Sequence, residues 1–161
     1  MRTLRLEPLT RAAFAPFGDV IEAAGAERHA INQGFAERFH ALAHADTAML
    51  GGETIISIFR GNPRPSPVTV SLMERHPLGS QAFVPLQDSV WLVVVAGPDP
   101  TDLRAFRATG KQGVNYRRNI WHHPLLVLQP DSEFLIIDRK GPGANLEEAH
   151  LTEAESAVLG A

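Results

Sequence analysis

The chain has 161 residues, 15 Lys+Arg against 18 Asp+Glu for a formal net charge of −3, 44% hydrophobic and 20% charged residues, and no cysteine. This fits one soluble globular domain over residues 1–161 with material for a sizeable core. Without cysteine there are no disulfides, thiolate metal sites or Cys nucleophile, and without a basic cluster there is no footprint for nucleic acid or an anionic membrane surface.

Residues 1–8 hold no apolar core long enough for a signal peptide, and residues 90–96, the longest apolar run, are far short of a membrane span. A cytoplasmic location is expected. Residues 4–6 read as a short strand, followed by a brief helix capped by Thr10 and stapled by Leu9 and Phe14. Pro16 and Gly18 end it, and residues 19–22 look extended. Residues 33–46 have two readings: Phe35, Phe39 and Leu42 keep helical spacing, while the composition also suits an ordered loop. From residue 53 on, short β-branched runs predict strands at 54–60, 68–76, 81–84, 89–96, 103–107, 114–117, 125–129 and 134–138. Gly, Pro, Asn and Asp turns separate them. The pattern is all-β, a sandwich or jelly-roll barrel with short flanking helices. A capping box from Thr152 to Glu155 predicts a last short helix.

Two clusters carry chemistry. If residues 68–76 form one strand, Val68, Val70, Leu72, Glu74 and His76 share the inward face, and Arg75 points away. Gln81, on a face with Phe83, returns to the same cavity. The second cluster, residues 113–124, offers Asn115, Tyr116, Arg117, His122 and His123. Guanidinium groups suit carboxylate recognition and imidazoles suit proton transfer near neutral pH. Strand alternation sends only one of His122 and His123 into the cavity. His40 and His44, four apart, read as a non-metallic pair, and His29 and His150 as exposed. No Walker A, Gly-x-Gly-x-x-Gly, Gly-x-Ser-x-Gly or His-Glu-x-x-His motif is present, which counts against nucleotide binding and serine hydrolysis.

At these residues the sequence resembles the ureidoglycolate lyase family, formerly called ureidoglycolate hydrolase. The resemblance is carried by residues 73–86 (MERHPLGSQAFVPL), by Gly113-Val114-Asn115-Tyr116, and by Trp121-His122-His123-Pro124-Leu125-Leu126. It extends to residues 32–34, 38–40, 58–60 and 138–139, which brings Asn32 and Arg38 into the substrate-binding set. It implies a cupin-like barrel, a homodimer, and a carbon–nitrogen lyase of the amidine-lyase type that splits ureidoglycolate into glyoxylate and urea in allantoin breakdown.

Metal cupins carry His-x-His, a Glu and a further His; here the matching positions hold Glu74, His76, Gln81 and Tyr116. One imidazole among four donors points to acid–base chemistry first. A weakly held divalent metal comes second: nickel, with which the family is associated, on His76 and Glu74. Eliminating urea from a carbinolamide needs a base at the hydroxyl (His76 or Glu74) and an acid at the leaving nitrogen (Tyr116, His122 or His123). Gln81, Asn115 and Arg117 would hold carboxylate and ureido group. The competing classes are a non-catalytic cupin that binds a small carboxylate and a metal-dependent oxygenase or isomerase.

Overall fold

The computed structural model, which describes residues 1–160, is nearly all β. Its α-helix is a single turn, Arg11–Phe14, begun as expected by Thr10, whose hydroxyl accepts the Ala13 N–H. Leu9 and Phe14 are both buried beneath it. Among the described residues, no helix is long and apolar enough to cross a membrane.

Two sheets form the frame. An antiparallel five-stranded sheet runs Gly18–Ile21, Gly113–Tyr116, Gln81–Pro85, Ser132–Lys140, Glu53–Gly61. A four-stranded sheet runs Leu126–Val127, Trp91–Ala96, Leu103–Ala108, Leu6–Pro8. Phe83, Val114, Tyr116, Phe134 and Ile136 of the first meet Trp91, Val93, Val95 and Phe106 of the second in one core. Leu92, Val94 and Ala96, alternating with these, face a second core closed by Val70, Met73 and Ala157. This accounts for the unbroken apolar run at 90–96: a strand covered on both faces has no solvent side to make polar.

Three expectations are corrected. The stretch 68–76 is two pieces, Thr69–Val70 and Leu72–Arg75, with Ser71 outside either strand. Val70 pairs with the strand Ala157–Leu159 and Met73 with Glu147–His150, yet both side chains are fully buried in the second core. Three residues apart on one side, they shift the alternation by one, so Glu74 lies on the face opposite Val70. Residues 33–46 are no helix: Ala36–Phe39 pairs with Arg28–Ile31 as a hairpin across the turn Asn32–Gly34. Half of the capping box forms, the Thr152 N–H donating to the Glu155 carboxylate at 2.8 Å, while the Glu155 N–H goes to the Thr152 carbonyl. It closes only one turn, because Ala157–Leu159 is drawn into pairing with Arg2–Leu4 and Thr69–Val70.

Trp91 anchors the first core. It is fully buried, its ring lies 4.8 Å from that of Phe134, and its Nε1 donates to the Gln112 carbonyl at 3.0 Å. Trp91→Ala is expected to cost about 3–5 kcal/mol, read as a lower urea midpoint.

Candidate active site

At one end of the first core, the inner face of the five-stranded sheet turns from apolar to polar. Two residues along their own strands, Phe83 gives way to Gln81, Ile136 to Asp138 and Val114 to Tyr116. Gln81 stands opposite Tyr116, and its Nε2 donates to Asp138 Oδ2 at 3.2 Å. Asp138 had drawn no role from the sequence. The signal for it was the same two-residue step from Ile136 that leads from Phe83 to Gln81.

Glu74, His76 and His122 gather over this end. Because Met73 enters the second core, Glu74 turns to the other side. Arg75 turns back with Met73, lies 4.3 Å over the Trp121 ring and bridges Glu147 at 2.6 Å. The backbone of His122 is held between two strands: its N–H and C=O both bond Glu74 at 2.8 Å, and it bridges Val95 on the other side. Its ring stacks on Tyr116 with centroids 4.1 Å apart and an angle of 6°, and lies 5.2 Å from the His76 ring. Its Nε2 is 3.6 Å from Glu74 Oε1. One ligand atom each from Glu74, His76 and His122 lie within 4.8 Å of one another.

Backbone carbonyls fix both imidazoles. His76 Nδ1 meets the Asn145 carbonyl at 2.8 Å and His122 Nδ1 the Ile120 carbonyl at 3.0 Å. A carbonyl only accepts, so each neutral ring carries its proton on Nδ1 and turns a bare Nε2 into the cluster. Both Nε2 atoms, and Gln81 Oε1, are buried with no hydrogen-bond partner. Burial alone would raise the Glu74 carboxyl, but the His122 contact and the neighbouring His76 and His123 bring it below its ordinary value. Burial lowers His122, against the pull of Glu74. Burial raises Asp138, opposed by the Gln81 hydrogen bond and His76, and burial also raises the Tyr116 phenol. The cluster therefore combines an ionised carboxylate, neutral imidazole at His122, a protonated phenol and a second carboxyl, Asp138, that burial shifts upward.

The same three residues fit a divalent first-row metal. Two imidazole nitrogens and a carboxylate oxygen converge, and each His is oriented by an outer carbonyl on its other nitrogen, as metal-bound histidines are. The candidate pair His76 and Glu74 thus gains a second imidazole from His122, which lies in a distant part of the sequence.

Other expected residues do not join the cluster. Asn115 alternates with Tyr116 and so occupies the outer face of the sheet, where its Nδ2 meets Asp19 and the His44 carbonyl. Arg117 donates to the carbonyls of Ala15, at 2.5 Å, and Pro16. Asn32 and Arg38 are exposed on the hairpin 28–39. His123 is buried beside His122, with Nδ1 on the Pro124 carbonyl at 2.7 Å; burial pushes its pKa down to about 4. His40 packs against the His29 ring and shares no helix face with His44.

The β-rich, cupin-like fold and this buried carboxylate–imidazole cluster define a class of small acid–base or metal-assisted enzymes. Within that class the particular family is shown by likeness. Residues 1–158 match the family model described as ureidoglycolate lyase. The chain is 60% identical over 154 residues to ureidoglycolate lyase 1 of Rhizobium meliloti (strain 1021), covering 94% of this chain and 91% of that one. It is 54% identical over 157 residues to ureidoglycolate lyase of Burkholderia mallei (strain NCTC 10229), covering 96% and 92%. With ureidoglycolate lyase of Pseudomonas putida (strain W619) it shares 51% over 163 residues, covering 99% and 98%. The chain belongs to the ureidoglycolate lyase family.

The carbonyl tethers predict a specific tautomer. In chelator-treated protein near neutral pH, nitrogen-15 NMR is expected to show His76 and His122 with Nδ1 protonated and Nε2 bare. Nε2-protonated rings would contradict the tethering.

Proposed function

We propose that residues 1–161 act as one cytoplasmic domain, a homodimer in its working form, that cleaves ureidoglycolate to glyoxylate and urea at the cluster of Glu74, His76 and His122. The observation that carries this reading is the pair of bare, buried Nε2 atoms beside an ionised carboxylate, in a chain of the ureidoglycolate lyase family. Ureidoglycolate bears a hydroxyl, a carboxylate and the urea nitrogen on one carbon, so elimination needs no external nucleophile.

With the three converging ligands free of metal, His76 Nε2 takes the hydroxyl proton. The O–H electron pair becomes the carbonyl of glyoxylate, and the C–N bond breaks with its pair on nitrogen. Asp138, whose carboxyl burial holds above its ordinary value, protonates that nitrogen to release urea. Glu74 steadies the imidazoles as charge moves onto them. Tyr116 supports His122 by stacking and, with its phenol kept protonated, donates rather than accepts. Gln81 Oε1, free of any other partner, suits a ureido N–H. Asn115, Arg117, Asn32, Arg38 and His123 lie outside the cluster and take no part in these steps.

A divalent ion such as nickel fits Glu74, His76 and His122. When bound it would supply positive charge to the substrate's hydroxyl and carboxylate.

His76→Ala and Glu74→Gln are each expected to lower kcat roughly 10²–10⁴-fold, the ordinary contribution of a general acid or base, with glyoxylate and urea measured separately. If both variants keep near-normal kcat, the assignment is wrong. Ammonia and CO₂ in place of urea would mark a hydrolase. Nickel added to chelated protein is expected to shift the His76 and His122 imidazole signals, and His122→Ala to weaken that binding.

A further inference from the structure

We infer that the outer face of the five-stranded sheet and the hairpin 28–39 together form the contact between two copies of this chain. The inference rests on the homodimer reading above and assigns it a surface.

The outer face lies opposite the candidate active site. Ile58, Leu135 and Val84 stand side by side across it, and Ile56, Ile137 and Ala82 form the next row. The segment 41–45 covers the end near Ile21 and Asn115 and leaves a cavity of about 320 Å³ between itself and the sheet. The end at Glu53–Gly61 is bare: Ile56 is 69% and Ile58 58% exposed. That strand is also the edge of its sheet, nine residues long, with no proline or lysine and no charge between Thr54 and Phe59. Edges left to water are ordinarily broken by such residues, because an open apolar edge recruits other chains.

The hairpin is the other half of the contact. From Arg28 to Phe39 every residue but Ala36 is exposed, and Phe35 at its turn is 93% exposed. Its extensive packing is between its own two strands and turn. A lone two-stranded hairpin is marginal in water, so this one needs a surface to rest on. Arg28 pairs with Glu37 and His29 with Glu27, so most of its charge is met locally and the apolar side chains are what it offers a partner.

Projection and receiving face belong to one chain, which is the condition for a self-complementary two-fold contact. Phe35, Ile56 and Ile58 with Ile31 and Phe39 expose about 550 Å² of largely apolar surface, against about 800 Å² per partner in a standard interface. A second copy accounts for both features without a further partner.

The test is sedimentation equilibrium of the full chain, with circular dichroism to confirm folding and glyoxylate release measured in parallel. Wild type is expected at twice the chain mass. Ile56→Glu combined with Ile58→Glu, and separately Phe35→Ser, are expected at or near the single-chain mass. Leu128→Ser, at an exposed leucine outside these surfaces, is expected to stay dimeric. Phe35 packs on nothing of its own fold, so that variant reports even if the double variant fails to fold. A wild-type dimer whose Phe35 variant is equally dimeric overturns the surface while leaving the dimer standing. A wild-type monomer overturns both, and glyoxylate release still judges the lyase reading separately.

Discussion

The site depends on one backbone clamp. His122 exchanges both its N–H and its C=O with Glu74, while its neighbours tie to the other side, Ala96 N–H to the Trp121 carbonyl and His123 N–H to the Val94 carbonyl. A single residue is thereby held between the strand that carries the carboxylate and the strand buried on both faces. The 3.6 Å approach of imidazole to carboxylate follows from the ladder rather than from attraction between the two side chains. That matters because a buried polar atom without a partner costs about 1–3 kcal/mol. The cluster holds two such nitrogens, and only a frame fixed by other means keeps them in place.

The frame is also why chemistry collects at this end of the core. Three adjacent strands of one sheet each carry an apolar side chain and then, two residues on, a polar one, so the inner face runs from Phe83, Ile136 and Val114 to Gln81, Asp138 and Tyr116. Tyr116 belongs to both halves. Its ring is part of the aromatic core beside Phe14 and Phe83 and also the platform on which His122 stacks. Core packing therefore sets the orientation of an imidazole in the site.

Much of this was legible in the sequence, because period-two alternation is a local property. It brought Glu74, His76 and Gln81 together and turned Arg75 away. What it did not reveal was non-local. Ser71 interrupts the strand because its two halves pair with different partners, and those partners lie near the C-terminus. Alternation at Asn115-Tyr116 separates the two residues to opposite faces, but which one points inward depends on the sheet across the core. Arg117 looked like a carboxylate clamp by chemistry, yet the carbonyls of Ala15 and Pro16 lie within its reach and take it. His122 joined the cluster through a bridge between segments some fifty residues apart in sequence, which no spacing rule encodes.

These placements leave an electrostatic question that constrains the chemistry. Three guanidinium groups of the central motifs are already engaged: Arg75 with Glu147, Arg117 with backbone carbonyls, and Arg139 with the carbonyls of Met49 and Pro142. Glu74 is ionised and burial keeps His122 neutral. An anionic substrate entering such a cluster meets a like charge, worth about 4 kcal/mol of repulsion at 4 Å with an effective dielectric near 20. Positive charge has to arrive with it. Either an imidazole takes up a proton as the carboxylate binds, or a divalent ion occupies the three converging ligands. In the first case His76 must hand that proton on before it can accept one from the hydroxyl. In the second its Nε2 is engaged and another group must serve as base. Charge neutralisation and proton abstraction compete for the same nitrogen, so how the carboxylate is neutralised decides which residue is the base.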